Sequence, residues 1–440
     1  MLTTRGAIFI ISGVFCLAFG FSSVNYYLVL IGILLILGSV ISMPYFELAV
    51  DLDNIEITRT IDKEKVFAED FVFVTVTVEN KGRLRIDYLE VFDTYPEIFT
   101  LVLGKSIITT RLDPGEKKVF SYVLQCRRRG VHKIGPIKLV VHDRLGLHFE
   151  QKTFEIYTEL LIYPSYQDVR KMEAMGSQRT LGRIFGMHKT KQKGMGTEFF
   201  GIRNYFPMDE YRRIDWKATA RTGDLMMREF EIEKNIKIMI LLDTSASMGG
   251  GLPDNTKLDY SIRAAVLLAK LALERRDEVG VVAFSNKIHS YVKPTMGKEY
   301  FYRILEALAI VEPKGGMRMM EAMEWVLKRT PKRSFFILLT DLEETSRELI
   351  NACKLARAHK NSLLVISPFG PWFEAYPGEL TPVQRALTEA ISEELLEQRK
   401  KIIDELVRMD IGVIDVSPDD FLPAVVSQYL KAKKKGVALR

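Results

Sequence analysis

An apolar run ends abruptly in one carboxylate and two hydroxyls in the stretch "ILLDTSASMGG", residues 240–250. Asp243, Ser245 and Ser247 are spaced two residues apart, so a loop can direct all three side chains toward one centre. A second apolar run, "FFILLTD", also ends in a carboxylate, Asp341. Oxygen ligands without His or Cys suit Mg²⁺ or Mn²⁺. These residue types predict a divalent-cation site at two strand ends.

Strand-like runs alternate with helical patterns from residue 236 onward, and these elements must position the candidate ligands. Residues 257–275 and 381–409 carry apolar side chains at helical spacing. Strands that alternate with helices form a mainly parallel sheet, and ligands bind beyond the carboxyl ends of its strands. The run at 287–292 follows its predecessor after a very short link and is predicted to be an antiparallel edge strand. The predicted strands cover residues 236–243, 279–284, 287–292, 334–341, 362–367 and 411–416.

The four oxygen-bearing residues resemble the metal-ion-dependent adhesion site of von Willebrand factor A domains. Asp243, Ser245 and Ser247 match the Asp-x-Ser-x-Ser motif of that family, and Asp341 matches its later aspartate. The resemblance implies an α/β, Rossmann-like domain with Mg²⁺ or Mn²⁺ as its cofactor. It also implies that an acidic side chain of a binding partner completes the metal's coordination.

One position departs from that motif. The usual Gly-Gly-Thr loop reads "KGGMRMM" here, so Met317 stands where the family places threonine. A thioether is a poor ligand for Mg²⁺. The departure predicts an extra water at the metal, weak metal binding, or a purely structural Asp-Ser turn.

The segment "GTEFFGIRNYFPMDEYRRIDWKATARTGDLMMREFEIE", residues 196–233, is dense in arginine, aspartate and aromatic residues. It resembles the hallmark of the "domain of unknown function 58" (DUF58) proteins of bacteria and archaea, with Met208 in place of the family's usual glycine. The hallmark positions are Arg203, Tyr205, Asp209, Arg212, Asp215, Trp216, Arg221 and Glu229.

A structural role for this hallmark competes with a catalytic one. Arginine forms bidentate pairs with carboxylates and stacks on aromatic rings, so Arg212 or Arg221 is expected to pair with Asp209 or Asp215. Trp216 would then pack under the sheet. No nucleophile with an adjacent base is visible in the segment, so the structural or interaction role is favoured.

Short alternating runs before the hallmark predict an all-β domain. In "FVFVTVTVEN", residues 71–80, valines alternate with Phe and Thr, and turn-forming Gly, Pro and Asn residues punctuate the chain. This pattern is typical of a small β-sandwich, and its predicted role is a spacer. "RRRGVHKIGPIKLVVHDRLGL", residues 127–147, is also similar to the β-domain of DUF58 proteins.

Residues 6–46 contain no charged side chain, and this stretch is long enough for two membrane spans. The polar turn "FSSVN", residues 21–25, separates them, so we expect a helical hairpin. A cleaved signal peptide is the alternative, with Ala18 to Gly20 as its cleavage site. Arg5 favours a cytoplasmic start by the positive-inside rule. The prediction is a multi-pass cell-membrane protein whose soluble domains are cytoplasmic.

Together these signals divide the chain into four segments. Two transmembrane helices occupy residues 1–46, an immunoglobulin-like β-sandwich 47–164, a linker with the hallmark 165–234, and the von Willebrand factor A-like domain 235–435. The DUF58 resemblance implies an adaptor that works with a MoxR-type AAA+ ATPase to assemble or activate an unknown protein client.

Several function classes lack support in the sequence. Phosphate-loop, zincin and nucleophile-elbow motifs are absent, so no enzyme activity is predicted. The three cysteines have no zinc-site spacing, and the net charge of +6 is spread along the chain, which argues against nucleic acid as a partner. Two alternatives stay open: a Mg²⁺-dependent phosphoryl-transfer enzyme, and a passive scaffold with a degenerate metal site.

Overall fold

The structure, a computed structural model, divides the chain into two units, Met1–Ser165 and Tyr166–Arg440. Every structural statement below concerns the residues that it describes, and each unit is treated by itself. The described residues are 2–49, 52–165, 193–194, 198–207, 209–231, 235–252, 255–342, 346–368, 382–416 and 418–435.

Two apolar helices open the first unit. Helix α1 spans Thr4–Ser22 and α2 spans Tyr26–Ala49. The Thr3 hydroxyl accepts the Gly6 N–H at 3.0 Å and caps α1. The stretches Thr4–Ser22 and Tyr26–Pro44 have 19 residues each and are long and apolar enough to cross a bilayer. The predicted pair of candidate spans is therefore present.

The open end of this helical hairpin is bonded to the β-domain that follows. The Thr3 N–H donates to the Leu147 carbonyl at 2.9 Å. His148 Nε2 lies 3.1 Å from the Ser39 carbonyl oxygen of α2. A Cβ at Gly6 would collide with the Leu147 carbonyl, so only glycine permits this approach. These contacts fix the residues just before β10 against the start of α1 and the C-terminal half of α2.

Two four-stranded antiparallel sheets face each other across one core in this unit. Their orders are β1-β3-β7-β5 and β10-β9-β4-β6, and a smaller sheet β2-β11-β8 lies beside them. Val72, Val74 and Val76 are fully buried on β3, whereas Phe71 and Phe73 are exposed, as the alternation predicts. The strands are β1 Ile55–Ile61, β2 Lys65–Phe67, β3 Phe71–Asn80, β4 Ile86–Asp93, β5 Phe99–Gly104, β6 Ile107–Leu112, β7 Lys117–Cys126, β8 Gly130–Ile134, β9 Ile137–His142, β10 Phe149–Phe154 and β11 Thr158–Tyr163.

A buried ion pair joins the strands of this sandwich. Arg59 on β1 pairs with Asp93 at the end of β4, and both side chains are fully buried. The guanidinium also donates to the Ile134 and Ile156 carbonyls at 2.8 and 2.9 Å. The Tyr122 hydroxyl donates to Asp93 at 2.8 Å, and burial raises the pKa of Tyr122 so that it stays a donor.

A small antiparallel sheet of order β12-β14-β13 is the first described part of the second unit. Its strands are β12 Lys193–Gly194, β13 Glu198–Asn204 and β14 Met226–Glu231. Helix α3, Trp216–Thr222, lies between β13 and β14 in the chain. The hallmark residues lie on β13, α3 and β14 and in the segment that joins β13 to α3.

A six-stranded sheet of order β19-β18-β15-β20-β21-β22 forms the body of this unit. All pairs of neighbouring strands in this sheet are parallel except the pair of β18 and β19. The predicted antiparallel edge strand is therefore confirmed. When the strands are numbered by their order in the chain, they lie across the sheet in the order 3-2-1-4-5-6. This is the order of a doubly wound α/β sheet. The strands are β15 Lys237–Asp243, β18 Glu278–Phe284, β19 Ile288–Thr295, β20 Phe335–Leu339, β21 Ser362–Pro368 and β22 Gly412–Val416, and β16 Gly251–Leu252 and β17 Asn255–Thr256 form a short separate hairpin.

Helices cover both faces of this sheet. On one face α4 packs against β15, β18 and α9, and on the other α6, α7 and α8 share a buried core with the strands. Thr256 caps α4, and Asp259 returns a bond to its N–H, a complete capping box. The helices are α4 Lys257–Glu274, α5 Tyr300–Ala309, α6 Met319–Leu327, α7 Ser346–Ala358, α8 Pro382–Arg408 and α9 Pro418–Lys435.

Replacement of Asp93 with alanine should destabilise the β-domain by about 3–5 kcal/mol, because it leaves the Arg59 guanidinium buried without a counter-charge. Tyr122→Phe removes one hydrogen bond to the carboxylate and should cost about 1–3 kcal/mol. Buried Cys126 in β7 reports local unfolding, so its labelling by a thiol reagent would be followed against urea concentration. Cys353, buried in the second unit, is the internal control. If Asp93→Ala and Tyr122→Phe gave the same urea midpoint for Cys126 labelling, the uncompensated Arg59 charge would not be the main cost of losing Asp93.

Candidate metal centre

The two predicted carboxylates meet at the carboxyl edge of the sheet, where the strand order reverses. Asp243 ends β15, and β20 lies directly beside it, with Leu242 paired to Leu339. The chain leaves β20 at Leu339, so Asp341 lies two residues beyond the strand. Asp243 and Asp341 are both fully buried. Ligands of doubly wound sheets bind at this switch point.

The serine loop folds around the Asp243 carboxylate. The Ser245 N–H donates to Asp243 Oδ1 at 2.8 Å, a bond typical of an Asx turn. A 3₁₀ turn, Ala246–Gly249, follows. The Ser245 and Ser247 hydroxyl oxygens lie 3.1 Å apart. The structure therefore brings together the carboxylate and both hydroxyls that the spacing predicts.

Thr340, which sequence reasoning passed over, links the two strand ends. Its hydroxyl donates to Asp243 Oδ2 at 2.6 Å. Both oxygens of Asp243 thus accept a hydrogen bond, one from Ser245 and one from Thr340. The signal was available, because Thr340 directly precedes Asp341 at the end of an apolar run.

Met317 lies beside this cluster, as the motif resemblance implies. The loop that carries it is fixed to the serine loop by the bond from Ala246 N–H to the Gly315 carbonyl at 2.8 Å. Gly315 has φ +81°, and a Cβ there would approach Asn286 to 3.1 Å. Met317 Sδ lies 3.6 Å from the Thr340 hydroxyl oxygen. A sulfur therefore occupies the place of a possible oxygen ligand.

Lys257 is the second residue of the cluster that sequence reasoning missed. It is the first residue of α4, and its ammonium donates to Asp341 Oδ2 at 3.1 Å. The lysine side chain is 2% exposed and the aspartate side chain 0%. The available signal was a lysine in the first turn of a helix, where the helix dipole disfavours a cation.

The side chains offer oxygen donors that fit a hard divalent cation. Asp341 Oδ1 is buried and has no hydrogen-bond partner among the described residues. The paired hydroxyls of Ser245 and Ser247 stand next to Asp243. Within the described ranges no three His, Cys, Asp or Glu side chains are grouped as metal ligands, so such a site depends on the serine hydroxyls. The donor set agrees with Mg²⁺ or Mn²⁺ rather than with a softer metal.

Burial governs the ionisation of Asp243. Loss of solvation raises the pKa of Asp243 to about 6. The hydrogen bonds from Thr340 and Ser245 work in the opposite direction, and the negative charge of Asp341 adds to the increase. A metal ligand must be deprotonated, so a cation would bind best above this pH.

The ion pairs of the hallmark differ from those predicted. Arg203, not Arg212 or Arg221, forms the bidentate pair with Asp209, at 2.6 and 2.7 Å. Asp209 also accepts the Phe206 N–H at 2.9 Å. The Arg203 bonds and this backbone bond hold the pKa of Asp209 below its usual value.

The second hallmark aspartate caps a helix. Asp215 Oδ1 accepts the Lys217 and Ala218 N–H groups at 3.1 and 3.0 Å, and Oδ2 accepts Arg228 Nε at 2.9 Å. The Ala218 bond and then Arg228 lower its pKa. The expectation that Arg212 or Arg221 pairs with Asp215 is therefore wrong.

The hallmark tryptophan does not pack under the sheet. Trp216 is 66% exposed, and Arg212 and Arg221 are also exposed. Tyr205 and Tyr211 pack ring against ring with centroids 5.6 Å apart. Trp216 starts the short helix α3 at the surface, which accounts for the difference. Met208 and the side chain of Glu229 lie outside what the structure describes.

A serine and a histidine form a further contact at this sheet edge. Ser285 follows β18, and its hydroxyl lies 2.7 Å from His289 Nε2. A nucleophile and a base share this geometry. Ser285 is only 1% exposed, however, so substrate has no open approach to its hydroxyl in this conformation.

Comparison with known proteins supports the family resemblance. Residues 201–367 match the family model "Protein of unknown function DUF58". Over these residues the chain is similar to DUF58 proteins. The match includes most of the hallmark and the first five strands of the sheet, with Asp243 and Asp341 inside it. The recognition made from the hallmark residues is thus confirmed.

Two curated relatives that match this chain are each named an uncharacterized protein. Uncharacterized protein YeaD of Bacillus subtilis is 29% identical over 199 residues, 44% of this chain and 49% of that protein. Uncharacterized protein Rv1480 of Mycobacterium tuberculosis is 24% identical over 176 residues, 39% of this chain and 56% of that protein. The chain spans about half the length of the curated relatives it matches.

Among solved structures, the conserved hypothetical protein BatB from Bacteroides thetaiotaomicron is 19% identical, with a TM-score of 0.31 over 46% of this chain and 100% of that one. The fold assignment rests instead on the strand order. A doubly wound sheet with an antiparallel edge strand follows an all-β region and two apolar helices. The predicted von Willebrand factor A-like fold class is confirmed.

The raised pKa of Asp243 predicts a pH-dependent stability of the second unit in EDTA. Because its pKa is raised in the folded state, protonation of Asp243 adds to the free energy of unfolding. This stabilisation is complete below about pH 4 and is lost as the pH rises through about 6. The loss should reach about 3 kcal/mol at most. Urea unfolding followed by tryptophan fluorescence would measure it, because all three tryptophans lie in the second unit. Asp243→Asn should flatten the profile, and parallel profiles for the two proteins would contradict the assignment.

Proposed function

We propose that this chain is a membrane-anchored protein-interaction module that binds its partner through a divalent cation. The observation that carries the proposal is the cluster at the sheet's carboxyl edge. Asp243 and the paired hydroxyls of Ser245 and Ser247 face the same edge as Asp341, whose Oδ1 atom lacks a partner among described residues. A buried carboxylate oxygen that accepts no hydrogen bond costs free energy unless a ligand binds to it.

Within the proposal, Mg²⁺ or Mn²⁺ is held by Asp243, Ser245, Ser247 and Asp341. The bound ion supplies an open coordination position for an acidic side chain of the partner, as the resemblance to the adhesion site implies. Met317 contributes no oxygen, so the affinity for the ion is expected to be low. The chain's own contribution is to hold these oxygens in fixed positions through the bonds to Ser245 and Thr340.

The hallmark supplies a second contact surface in this proposal. Phe206, Tyr211 and Trp216 are each more than 60% exposed. Exposed large aromatic side chains are typical of the centres of protein interfaces. Arg212 and Arg221 are exposed beside them in the chain, so an acidic partner surface fits best. The ion pairs Arg203–Asp209 and Arg228–Asp215 stabilise the backbone of this surface.

The proposed partners are a MoxR-type AAA+ ATPase and a protein client of unknown identity. Support comes from the DUF58 resemblance and from the interaction surfaces, and the chain itself is proposed to be non-catalytic. A passive scaffold is the second candidate, because Met317 replaces a ligand and Lys257 already occupies one oxygen of Asp341. In that case the fold would persist without any cation.

The proposed location is the cell membrane, with two helices that cross it and soluble domains in the cytoplasm. Support comes from the length and apolar composition of α1 and α2. Arg5 at the start of α1 favours a cytoplasmic N-terminus by the positive-inside rule.

Partner capture should require both the cation and Asp243. Full-length tagged protein would be isolated from membranes in Mg²⁺ and in EDTA, with Asp243→Ala alongside and Mn²⁺ affinity measured by titration calorimetry. Asp243→Ala removes a ligand and should weaken Mn²⁺ binding at least about tenfold. Met317→Thr restores an oxygen and should strengthen it. The retention of one AAA+ ATPase only by wild type in Mg²⁺ is the expected result.

The matched control is Asp224→Ala, which removes an exposed carboxylate of the same unit outside the cluster. It should behave as wild type in both assays. Identical partners for wild type, EDTA-treated protein and Asp243→Ala would rule out the metal bridge. Trp216→Ala, tested next, would then show whether the hallmark surface alone holds the partner.

Membrane orientation can be tested with single cysteines. Ser23→Cys lies in the turn between α1 and α2, and Lys105→Cys lies on an exposed turn of the β-domain. In intact cells an impermeant maleimide should label Ser23→Cys and spare Lys105→Cys, and lysis should expose both. Wild type gives the background from the native cysteines. Labelling of Lys105→Cys in intact cells would place the soluble domains outside.

A further inference from the structure

A lysine is built into the cation cluster from another element of the fold. Lys257 belongs to α4, and its ammonium donates to Asp341 Oδ2 at 3.1 Å. The two residues are 84 positions apart in the chain. The lysine side chain is 2% exposed and that of Asp341 is 0% exposed, so water screens this ion pair very little.

The local requirements of α4 do not explain this lysine. Thr256 and Asp259 already complete the capping box at the start of the helix. A cation in the first helical turn opposes the helix dipole, whereas Asp259 there agrees with it. The contact with Asp341 does favour a positive charge at this position.

Charge balance gives the lysine a role in the cluster. Asp243 and Asp341 are two buried carboxylates at one sheet edge, and like charges in such a site repel each other. The Lys257 ammonium supplies one positive charge. A divalent cation that binds the same carboxylates would neutralise them too, and it would have to share Asp341 with the lysine or displace it.

We propose that Lys257 is an internal competitor for the cation: its ammonium holds Asp341 while no divalent ion is bound, and an incoming ion must release Asp341 from it. The inference rests on the proposed function and adds its regulation. The cluster then has two alternative states, an ion pair and a metal complex. A low affinity for the ion results from the competition as well as from Met317.

Mn²⁺ binding to full-length protein in detergent tests this directly, with bound and free Mn²⁺ distinguished by electron paramagnetic resonance. Lys257→Met keeps the length and apolar stem of the side chain but removes its charge. We expect it to bind Mn²⁺ about tenfold or more tightly than wild type, since the competing charge is gone. Lys257→Arg keeps the charge and should bind no more tightly than wild type. Lys270→Met, on the same helix and paired with Glu274, is the matched control.

A second measurement separates competition from damage to the fold. In EDTA the midpoint of thermal unfolding of Lys257→Met should fall, and Mn²⁺ should raise it by more than it raises the midpoint of wild type. Folded Lys257→Met that binds Mn²⁺ with wild-type affinity would overturn the competition and leave the proposed metal site intact. Binding by Lys257→Met alone would overturn the proposed exchange, because the lysine would then be the permanent cation of wild type. The absence of binding in every variant would overturn both proposals.

Discussion

Two buried carboxylates at one edge of the sheet are the constraint on which the rest of this unit depends. Asp243 and Asp341 are held where parallel strands β15 and β20 end, and neither is exposed to water. Ionised groups in such a place need partners. The Ser245 N–H, the Thr340 hydroxyl and the Lys257 ammonium provide them, and each comes from a different part of the chain. The loops after the strands are therefore shaped by the need to satisfy these oxygens.

The glycine-rich loop before α6 is fixed beside the serine loop. Gly315 adopts φ +81° beside Asn286, and its carbonyl accepts the Ala246 N–H at 2.8 Å. This contact fixes the serine loop and brings Met317 close to Thr340. A residue at position 317 thus faces the carboxylate cluster whatever its chemistry.

The sequence could predict the strands and the convergence of Asp243 with Asp341, because both depend on local pattern and on a general rule for parallel sheets. It could also predict the antiparallel β19, whose link to β18 is very short. The partners of charged groups were harder to predict. Lys257 meets Asp341 across 84 positions, and no periodicity encodes such a pairing. Arg203 rather than Arg212 binds Asp209, although the segment offers several arginines of equal chemistry. Trp216 is at the surface because it begins a short helix, and composition alone gives no sign of that.

The two carboxylates are not equivalent, and this difference determines at which of them one positively charged partner can replace another. Asp243 has a donor on each oxygen, from the Ser245 N–H and from the Thr340 hydroxyl, and both belong to its own strand end or the neighbouring one. Asp341 has an ammonium on Oδ2 and no partner for Oδ1 among the described residues. An ammonium on a flexible side chain is easier to move than a backbone N–H. In the proposed exchange, an incoming cation therefore competes with the lysine at Asp341, while Asp243 serves as the fixed side of the site.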